Sequence, residues 1–388
     1  MYKKYKRIFL IVLDSVGVNH AVDSEKFGDL GANTLGHVIK ETGVQLPNLG
    51  KMGFVNLALD QNDEVNAYYM RANEISNGKD TLTGHLEMMG IETKNPFKTF
   101  TETGFPCELI DELERQTGRR VIGNKNASGT AIIEELGEEH MKTGNIIVYT
   151  SADSVLQIAC HEDVVPLEEL YDICKKAREI TLKDEWKVGR IIARPFIGEK
   201  GSFKRTTNRH DYALNPSSKT VLDYLKEGNL TVKSIGKISD IFNNCGINES
   251  IKTKGNLDGI MKIIESMDDE FTGLCFANLN DFDSNYGHRR NPVGYADALK
   301  EFDNYLPQII NKLNSDDLLI VTADHGNDPT WVGTDHTREN IPVGVYNKEF
   351  IEPKRIDDLN TFADIGATIA DNFNVSSPLG TSFLGKLK

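Results

Sequence analysis

What the chain lacks narrows its class before any motif is read. Cysteine is scarce and unpatterned: Cys107, Cys160, Cys174, Cys245 and Cys275 are scattered without paired spacing. An odd set of this kind reads as free thiols in a reducing compartment, not as a disulfide framework. Basic residues are outnumbered, 44 Lys and Arg against 58 Asp and Glu, for a net charge of −14. A nucleic-acid surface would be basic, so no nucleic-acid partner is expected. An anionic substrate stays open, because metal ions and a few local Arg or Lys reverse the field inside a cleft. No run reaches the roughly 18 apolar residues of a membrane span. The charged start Met1-Tyr-Lys-Lys-Tyr-Lys-Arg leads into an apolar run at residues 8–13 that stops at Asp14. That pattern is a first strand and not a targeting segment, so the protein reads as cytoplasmic, with no membrane partner. The sequence has no internal repeat and no low-complexity tract.

At 388 residues the chain has length for two or three domains and a sizeable core. The stretch that organises it is 318–336. Residues 318–323 form an apolar, β-rich run of the length expected for a strand buried on both faces. Asp324 and His325 stand at its carboxyl end, and a second pair, Asp335-His336, follows eleven residues later. Ligands of open α/β sheets collect outside the carboxyl ends of the strands. Carboxylate with imidazole suits Zn, Mn or Fe. Residues 7–13 read as a strand delivering Asp14, and residues 274–279 as another, followed by Asp281, Asp283 and His288. Three carboxylates (Asp14, Asp283, Asp324) and three imidazoles (His288, His325, His336) therefore meet one edge of an expected parallel sheet. That is the supply for two adjacent divalent ions, a pair roughly 3.5–4 Å apart that clamps a phosphoryl group and activates an attacking oxygen. So many acidic and metal-competent groups at one edge would be costly without cations to neutralise them.

Gly78-Lys79-Asp80-Thr81 opens into Leu82, Met88 and Met89 as a loop feeding a helix N-terminus, where free N–H groups and the helix dipole attract phosphate. Thr81 or Thr83 presents a hydroxyl there, although a threonine N-cap is the plainer reading of that stretch alone. The Walker spacing is absent. From 98 to 214 the strand-then-acid pattern is lost. Short strands at 145–150 and 188–193 alternate with helices at 107–117 and 167–181, which indicates a separate inserted domain near Pro96 and Pro216. Its basic loop, 201–212, offers Lys204, Arg205, Arg209 and His210, and with Arg190 these are candidates to hold a phosphate, each alone being an ordinary surface charge. Residues 146–150 lead to another acid, Asp153. Alternation resumes after 215, with a strand and turn at 233–240, a helix whose face is Ala298, Phe302, Leu306, Ile309 and Leu313, and a helical tail at 362–373.

Together these residues resemble the alkaline phosphatase superfamily of metalloenzymes, and within it the phosphopentomutase family over essentially the full length. The resemblance is carried by Arg7-Ile-Phe-Leu-Ile-Val-Leu-Asp-Ser-Val-Gly, Gly78-Lys-Asp-Thr-Leu-Thr-Gly-His, Gly123-Asn-Lys, Tyr149-Thr-Ser-Ala-Asp-Ser-Val-Leu-Gln-Ile-Ala, Asn208-Arg-His-Asp-Tyr-Ala-Leu, Asn280-Asp-Phe-Asp and Thr322-Ala-Asp-His-Gly-Asn-Asp-Pro. Asp-His-Gly after a strand is shared across the superfamily, whereas the stretches inside 98–214 are specific to the mutase. Leu86 departs from the pattern, since relatives are expected to have an aromatic residue there.

The resemblance implies an α/β, alkaline-phosphatase-like core from 1–97 and 215–388, with a mostly parallel sheet flanked by helices, and an inserted α+β cap domain at 98–214 for the sugar phosphate. It implies interconversion of α-D-ribose 1-phosphate and D-ribose 5-phosphate, and of the 2-deoxyribose pair. The implied cofactors are two Mn²⁺, with Zn²⁺ or another divalent ion as substitute, and a sugar bisphosphate such as glucose 1,6-bisphosphate that leaves a threonine phosphorylated. Position by position, that threonine matches Thr81. One ion would be held by Asp14, Asp324 and His325, the other by Asp283, His288 and His336. Asp153 would contact sugar hydroxyls, and Arg190, Arg209, His210 and Lys237 the distal phosphate. Pentose phosphates are then the expected partners, and the oligomeric state stays open, a monomer being compatible. The alternative on the same scaffold is a metal-dependent phosphatase or phosphodiesterase whose phosphothreonine is discharged by water.

Overall fold

The computed structural model describes residues 3–151 and 154–388. The chain divides into two compact units, one built from Met1–Lys94 and Asn215–Lys388, the other from Asn95–Leu214.

In the first unit the strands are β1 (Arg7–Leu13), β2 (Tyr68–Ala72), β9 (Thr231–Ile235), β10 (Glu249–Ile251), β11 (Gly273–Leu279), β12 (Asp317–Thr322) and β13 (Ile341–Tyr346). The second unit contributes the strands numbered between β2 and β9. The sheet order of the first unit is β10-β9-β11-β1-β12-β13-β2. Its central members pair in parallel, β9 with β11, β11 with β1 and β1 with β12. β13 and β2 add an antiparallel edge. Every residue of β1, β11 and β12 is buried, as expected of strands covered on both faces. The cover consists of helices α1 (Thr34–Thr42), α2 (Pro47–Lys51), α3 (Phe54–Leu59), α4 (Thr81–Met88), α8 (Val221–Glu227), α9 (Ile238–Ile241), α10 (Asn256–Ser266), α11 (Pro292–Lys312) and α12 (Ala363–Phe373). α11 packs against α1, α2 and α10, while α12 packs against α4 and α8.

The parallel register sets Val12 beside Asn278 and Thr322, so β11, β1 and β12 end together. At the opposite ends of these strands Arg7 makes a bidentate pair with Asp317, Nε to Oδ1 at 2.8 Å and Nη2 to Oδ2 at 2.7 Å, and donates to the Met267 carbonyl at 2.9 Å. Both side chains are buried, so the pair fixes β1 against β12 with its charges satisfied.

The second unit has β3 (Val121–Asn126), β4 (Ile146–Thr150), β5 (Val155–His161), β6 (Arg190–Ile197), β7 (Lys204–Arg205) and β8 (His210–Ala213), with α5 (Cys107–Thr117), α6 (Gly129–Thr143) and α7 (Leu167–Ile180). Its sheet runs β3-β4-β5-β6-β7, with β8 also on β6. One face carries Leu156, Ile158, Ile191 and Ala193 under α5 and α7, and the other carries Ile147, Tyr149, Ala159 and Phe196 with Ile132 and Ile133 of α6. This unit thus has its own core. Among the described residues, no helix is long and apolar enough to cross a membrane.

Candidate metal centre

Three neighbouring strands bring acids to one edge. Asp14 follows β1 directly, and its N–H donates to the Leu279 carbonyl at 3.1 Å. Asp324 follows β12 by two residues. After β11 the chain turns through a π-helical segment, Phe282–Gly287, which carries Asp283. Asp14, Asp283 and Asp324 are 0%, 5% and 0% exposed, and His325 is 1% exposed.

Asp14, Asp324 and His325 form the first group, with one ligating atom from each lying within 4.8 Å of the others. His325 Nδ1 faces the Gly326 carbonyl at 3.0 Å, which puts the proton on that nitrogen and leaves Nε2 for the cluster. Nε2 lies 3.4 Å from Asp14 Oδ1, 3.5 Å from Asp324 Oδ2 and 3.1 Å from the Thr81 hydroxyl. The other oxygens are taken: Asn278 Nδ2 donates to Asp14 Oδ2 at 2.9 Å, and the Ser15 N–H to Asp324 Oδ1 at 3.0 Å. Thr81 opens α4. The cap of that helix is Asp80, not a threonine, and its Oδ1 accepts from Leu82 N and Thr83 N at 3.1 Å each. Gly84 lets α4 approach, because a Cβ there would overlap the Asp324 carbonyl oxygen. His85 Nδ1 faces the Thr81 carbonyl at 2.8 Å and stands 3.2 Å from Asp324 Oδ2.

Asp283 organises the second group, in which Asp283, His325 and His336 lie within 4.8 Å of one another. His288 belongs to it as well, with Nε2 3.3 Å from Asp283 Oδ2 and 3.0 Å from His336 Nε2. His336 Nε2 is 3.4 Å from Asp283 Oδ1, which also accepts from Asn327 Nδ2 at 2.7 Å. His288 Nδ1 faces the Thr334 carbonyl at 2.7 Å, so its Nε2 too presents a lone pair. His325 is common to the two groups, which makes them one continuous cluster.

The donor set fits a pair of divalent ions. Asp14 Oδ1 and Asp324 Oδ2 are buried with no hydrogen-bond partner among the described residues. Two imidazole Nε2 atoms converge on each other and on a carboxylate, an arrangement that a shared cation would satisfy. Left to protons, the cluster is strained electrostatically. Burial, and then the Asp324 charge, push Asp14 above the usual carboxylate range. Burial would raise Asp283 as well, but His336 and His288 hold it well below that range. Against the effect of its own burial, Asp324 and Asp14 hold a proton on His325 well above the ordinary imidazole value. Of the ligands expected from sequence, all six stand in this cluster, with Thr81 beside the first group.

Of the other expected residues, Arg190, Arg209 and His210 belong to the second unit. Asp153 falls outside the described residues. Arg209 makes a bidentate pair with Asp211 at 2.7 and 2.6 Å, and Arg190 is 3.8 Å from the same carboxylate. The His210 ring sits between Tyr171 and Tyr212, with centroids at 5.5 and 4.6 Å. Lys237 is in the first unit, preceding α9. Leu86, where an aromatic residue was expected, is buried in α4. Sequence reasoning passed over the outer ring of Asn278, His85, Asn327 and Arg290, whose roles depend on contacts far apart in the chain. It also passed over Arg194, half-buried and donating to Gln157 Oε1 at 3.0 Å.

Comparison with known proteins agrees with this construction. The model of the metalloenzyme superfamily matches residues 6–377. The PH0037 protein of Pyrococcus horikoshii is similar in fold at 15% identity and a TM-score of 0.50, over 97% of this chain and 100% of that one. A phosphoglycerate mutase of Leishmania mexicana, solved at low cobalt concentration, is similar at 12% identity and a TM-score of 0.51, over 98% of both chains. At such identities the likeness is one of fold, an α/β sheet flanked by helices. With the family model spanning nearly the whole chain and the acid–imidazole cluster at the strand ends, this protein belongs to the metalloenzyme superfamily, that of alkaline phosphatase.

Proposed function

We propose that this chain is a phosphopentomutase, interconverting α-D-ribose 1-phosphate and D-ribose 5-phosphate, and the 2-deoxyribose pair, through phosphorylated Thr81. The observation that carries the reading is the place of the Thr81 hydroxyl, at the N-terminus of α4 and 3.1 Å from His325 Nε2 in the six-ligand cluster. Asp14, Asp324 and His325 would hold one ion and Asp283, His288 and His336 the other, with Mn²⁺ as the proposed metal. Bound there, divalent ions would neutralise the buried carboxylates and draw charge from phosphoryl and attacking oxygens.

The chain's own part is to present acceptors in turn. Phosphothreonine gives its phosphoryl group to the free hydroxyl of a pentose monophosphate: a sugar O–P bond forms, the Thr81 Oγ–P bond breaks, and the sugar's proton ends on Thr81 Oγ. Thr81 then attacks the other phosphate of that bisphosphate, its Oγ–P bond re-forms, and the proton returns to the released sugar oxygen. Nothing is consumed, and a sugar bisphosphate such as glucose 1,6-bisphosphate primes the threonine. The N-terminus of α4, capped by Asp80, favours negative charge beside Thr81. We assign recognition of the sugar phosphate to the second unit. Its basic side chains Arg190, Arg194, Arg205 and Arg209 support this, with the Arg205 guanidinium and Tyr149 hydroxyl drawn against Gly129 at the start of α6.

The test is an incubation with Mn²⁺, a trace of glucose 1,6-bisphosphate and ribose 1-phosphate, following ribose 5-phosphate and free phosphate together. Ribose 5-phosphate without phosphate release is the expected result, and Thr81→Ala should abolish it, a loss of at least about 10⁴-fold for an obligatory nucleophile. Free phosphate as the main product would replace the mutase by the hydrolase reading. Full activity in Thr81→Ala would remove Thr81 as nucleophile.

A further inference from the structure

Arg290 touches none of the six ligands, yet its bonds reach the mounting of three. Its Nε donates to the Gly333 carbonyl at 2.5 Å and its Nη2 to the Asp335 carbonyl at 2.7 Å. Between those carbonyls lies that of Thr334, which faces His288 Nδ1 at 2.7 Å, and the next residue after Asp335 is His336. Arg290 Nη1 donates to Asn327 Oδ1 at 2.6 Å, and the Nδ2 of that amide donates to Asp283 Oδ1 at 2.7 Å. The same Nη1 reaches the Gly287 and Asp328 carbonyls at 2.9 and 3.1 Å. Asn327 fits there because Gly287 has no side chain, since a Cβ would stand 2.8 Å from its Nδ2. The Arg290 backbone is held at φ 51°, a left-handed conformation uncommon outside glycine and maintained here by this web.

Resting on the metal-centre reading, we infer that Arg290 is the positioning residue of the Asp283–His288–His336 half of the centre. One guanidinium joins three chain segments: 287–290, which carries His288, 327–328, which orients Asp283, and 333–335, which orients His288 and leads into His336. Every acceptor is a carbonyl or amide oxygen, so the group acts by the shape of its fork and not by pairing with an acid. A lysine, with a single ammonium, cannot span these positions. The Asp14–Asp324–His325 half has supports of its own in Asn278, Ser15 and Gly84, none of which Arg290 hydrogen-bonds.

The test titrates the metal-free full-length chain with Mn²⁺ by calorimetry, and follows the coupling of the paired ions by electron paramagnetic resonance, in wild type, Arg290→Met and Arg290→Lys. Wild type should bind two ions. Both variants should bind one as before and the other about 10- to 100-fold more weakly, with the coupled signal replaced by that of an isolated ion. Wild-type binding of both ions in Arg290→Lys would overturn the argument from the fork, and equal weakening of both ions would overturn the selectivity. Should the Arg290 variants fail to fold, Asn327→Ala decides through the Asp283 relay: weakening of one ion supports the inference, and unchanged binding of two overturns it. A wild type that binds no Mn²⁺ overturns the metal-centre reading itself, and this inference with it.

Discussion

At Gly84 the helix that carries Thr81 passes so close to the chain leaving β12 that a Cβ would overlap the Asp324 carbonyl oxygen, a backbone atom with no rotamer to move into. The absence of a side chain therefore sets the distance between Thr81 and the acid–imidazole cluster. Gly84→Ala should push α4 away, at about 1–3 kcal/mol for overpacking of a buried position. It should lower turnover more than stability alone explains, because Thr81 and His325 separate. A thermal melt beside a product assay checks this, and a variant as active as wild type at a temperature where both are folded would show that the approach is not needed. A single glycine in a Thr-Gly-His stretch gives no sign in sequence of which atom it must clear.

Between residue and molecule, the loops after β1 and β12 are held by Glu339, which leads into β13. Its carboxylate accepts from Thr34 N at 2.8 Å, Thr34 Oγ1 at 2.7 Å and Thr337 Oγ1 at 2.6 Å. Gly17 and Gly326 both lie against it, a Cβ on either meeting a carboxylate oxygen at 2.5 Å. Burial, with the Asp328 charge adding to it, raises this carboxyl from 4.5 to about 8. The native state then keeps a proton that the unfolded chain has lost above 4.5. Stability from this group is full below about 4.5 and is lost as pH rises through about 8, by a few kcal/mol in all. Glu339→Gln should flatten that fall in denaturant melts between pH 6 and pH 9, and an equal slope in both proteins would refute it. Elements differ in how much of this the sequence discloses. β1, β11 and β12 were legible because strands buried on both faces are nearly uniformly apolar, and the acids that end them are local marks. β13 was not, since Pro342 and Gly344 read as breaks, yet it lies between β12 and β2 with Pro342 opposite Arg71. The strand expected at 188–193 runs on to Ile197, and the inserted region read as 98–214 separates by contacts at Asn95–Leu214, because chain crossings carry no composition mark of their own. Among site residues, the acids and imidazoles of the cluster could be read from pairs and spacing. Arg290 and Asn327 could not, because a fork that grips carbonyls leaves no pattern.

On the scale of the whole molecule, the two units have separate cores, and the acid–imidazole cluster belongs to the one built from Met1–Lys94 and Asn215–Lys388. A ligand that binds only the folded form stabilises what it binds, by about 2.7 kcal/mol at a hundred times its dissociation constant and about 4.1 at a thousand times. Two ions in this cluster should therefore raise the unfolding of that unit and leave Asn95–Leu214 where it was. The buried carboxylates add to the contrast, since without cations the charges of Asp324 and Asp283 act on buried Asp14. Calorimetry of the chain with Mn²⁺ and then with excess chelator should show one transition falling by several degrees while another stays fixed. The Asp324→Asn variant should show a smaller metal-dependent rise in that transition than wild type. Chelation that lowers both transitions equally, or neither, would show that metal binding is not confined to the cluster at the ends of β1, β11 and β12.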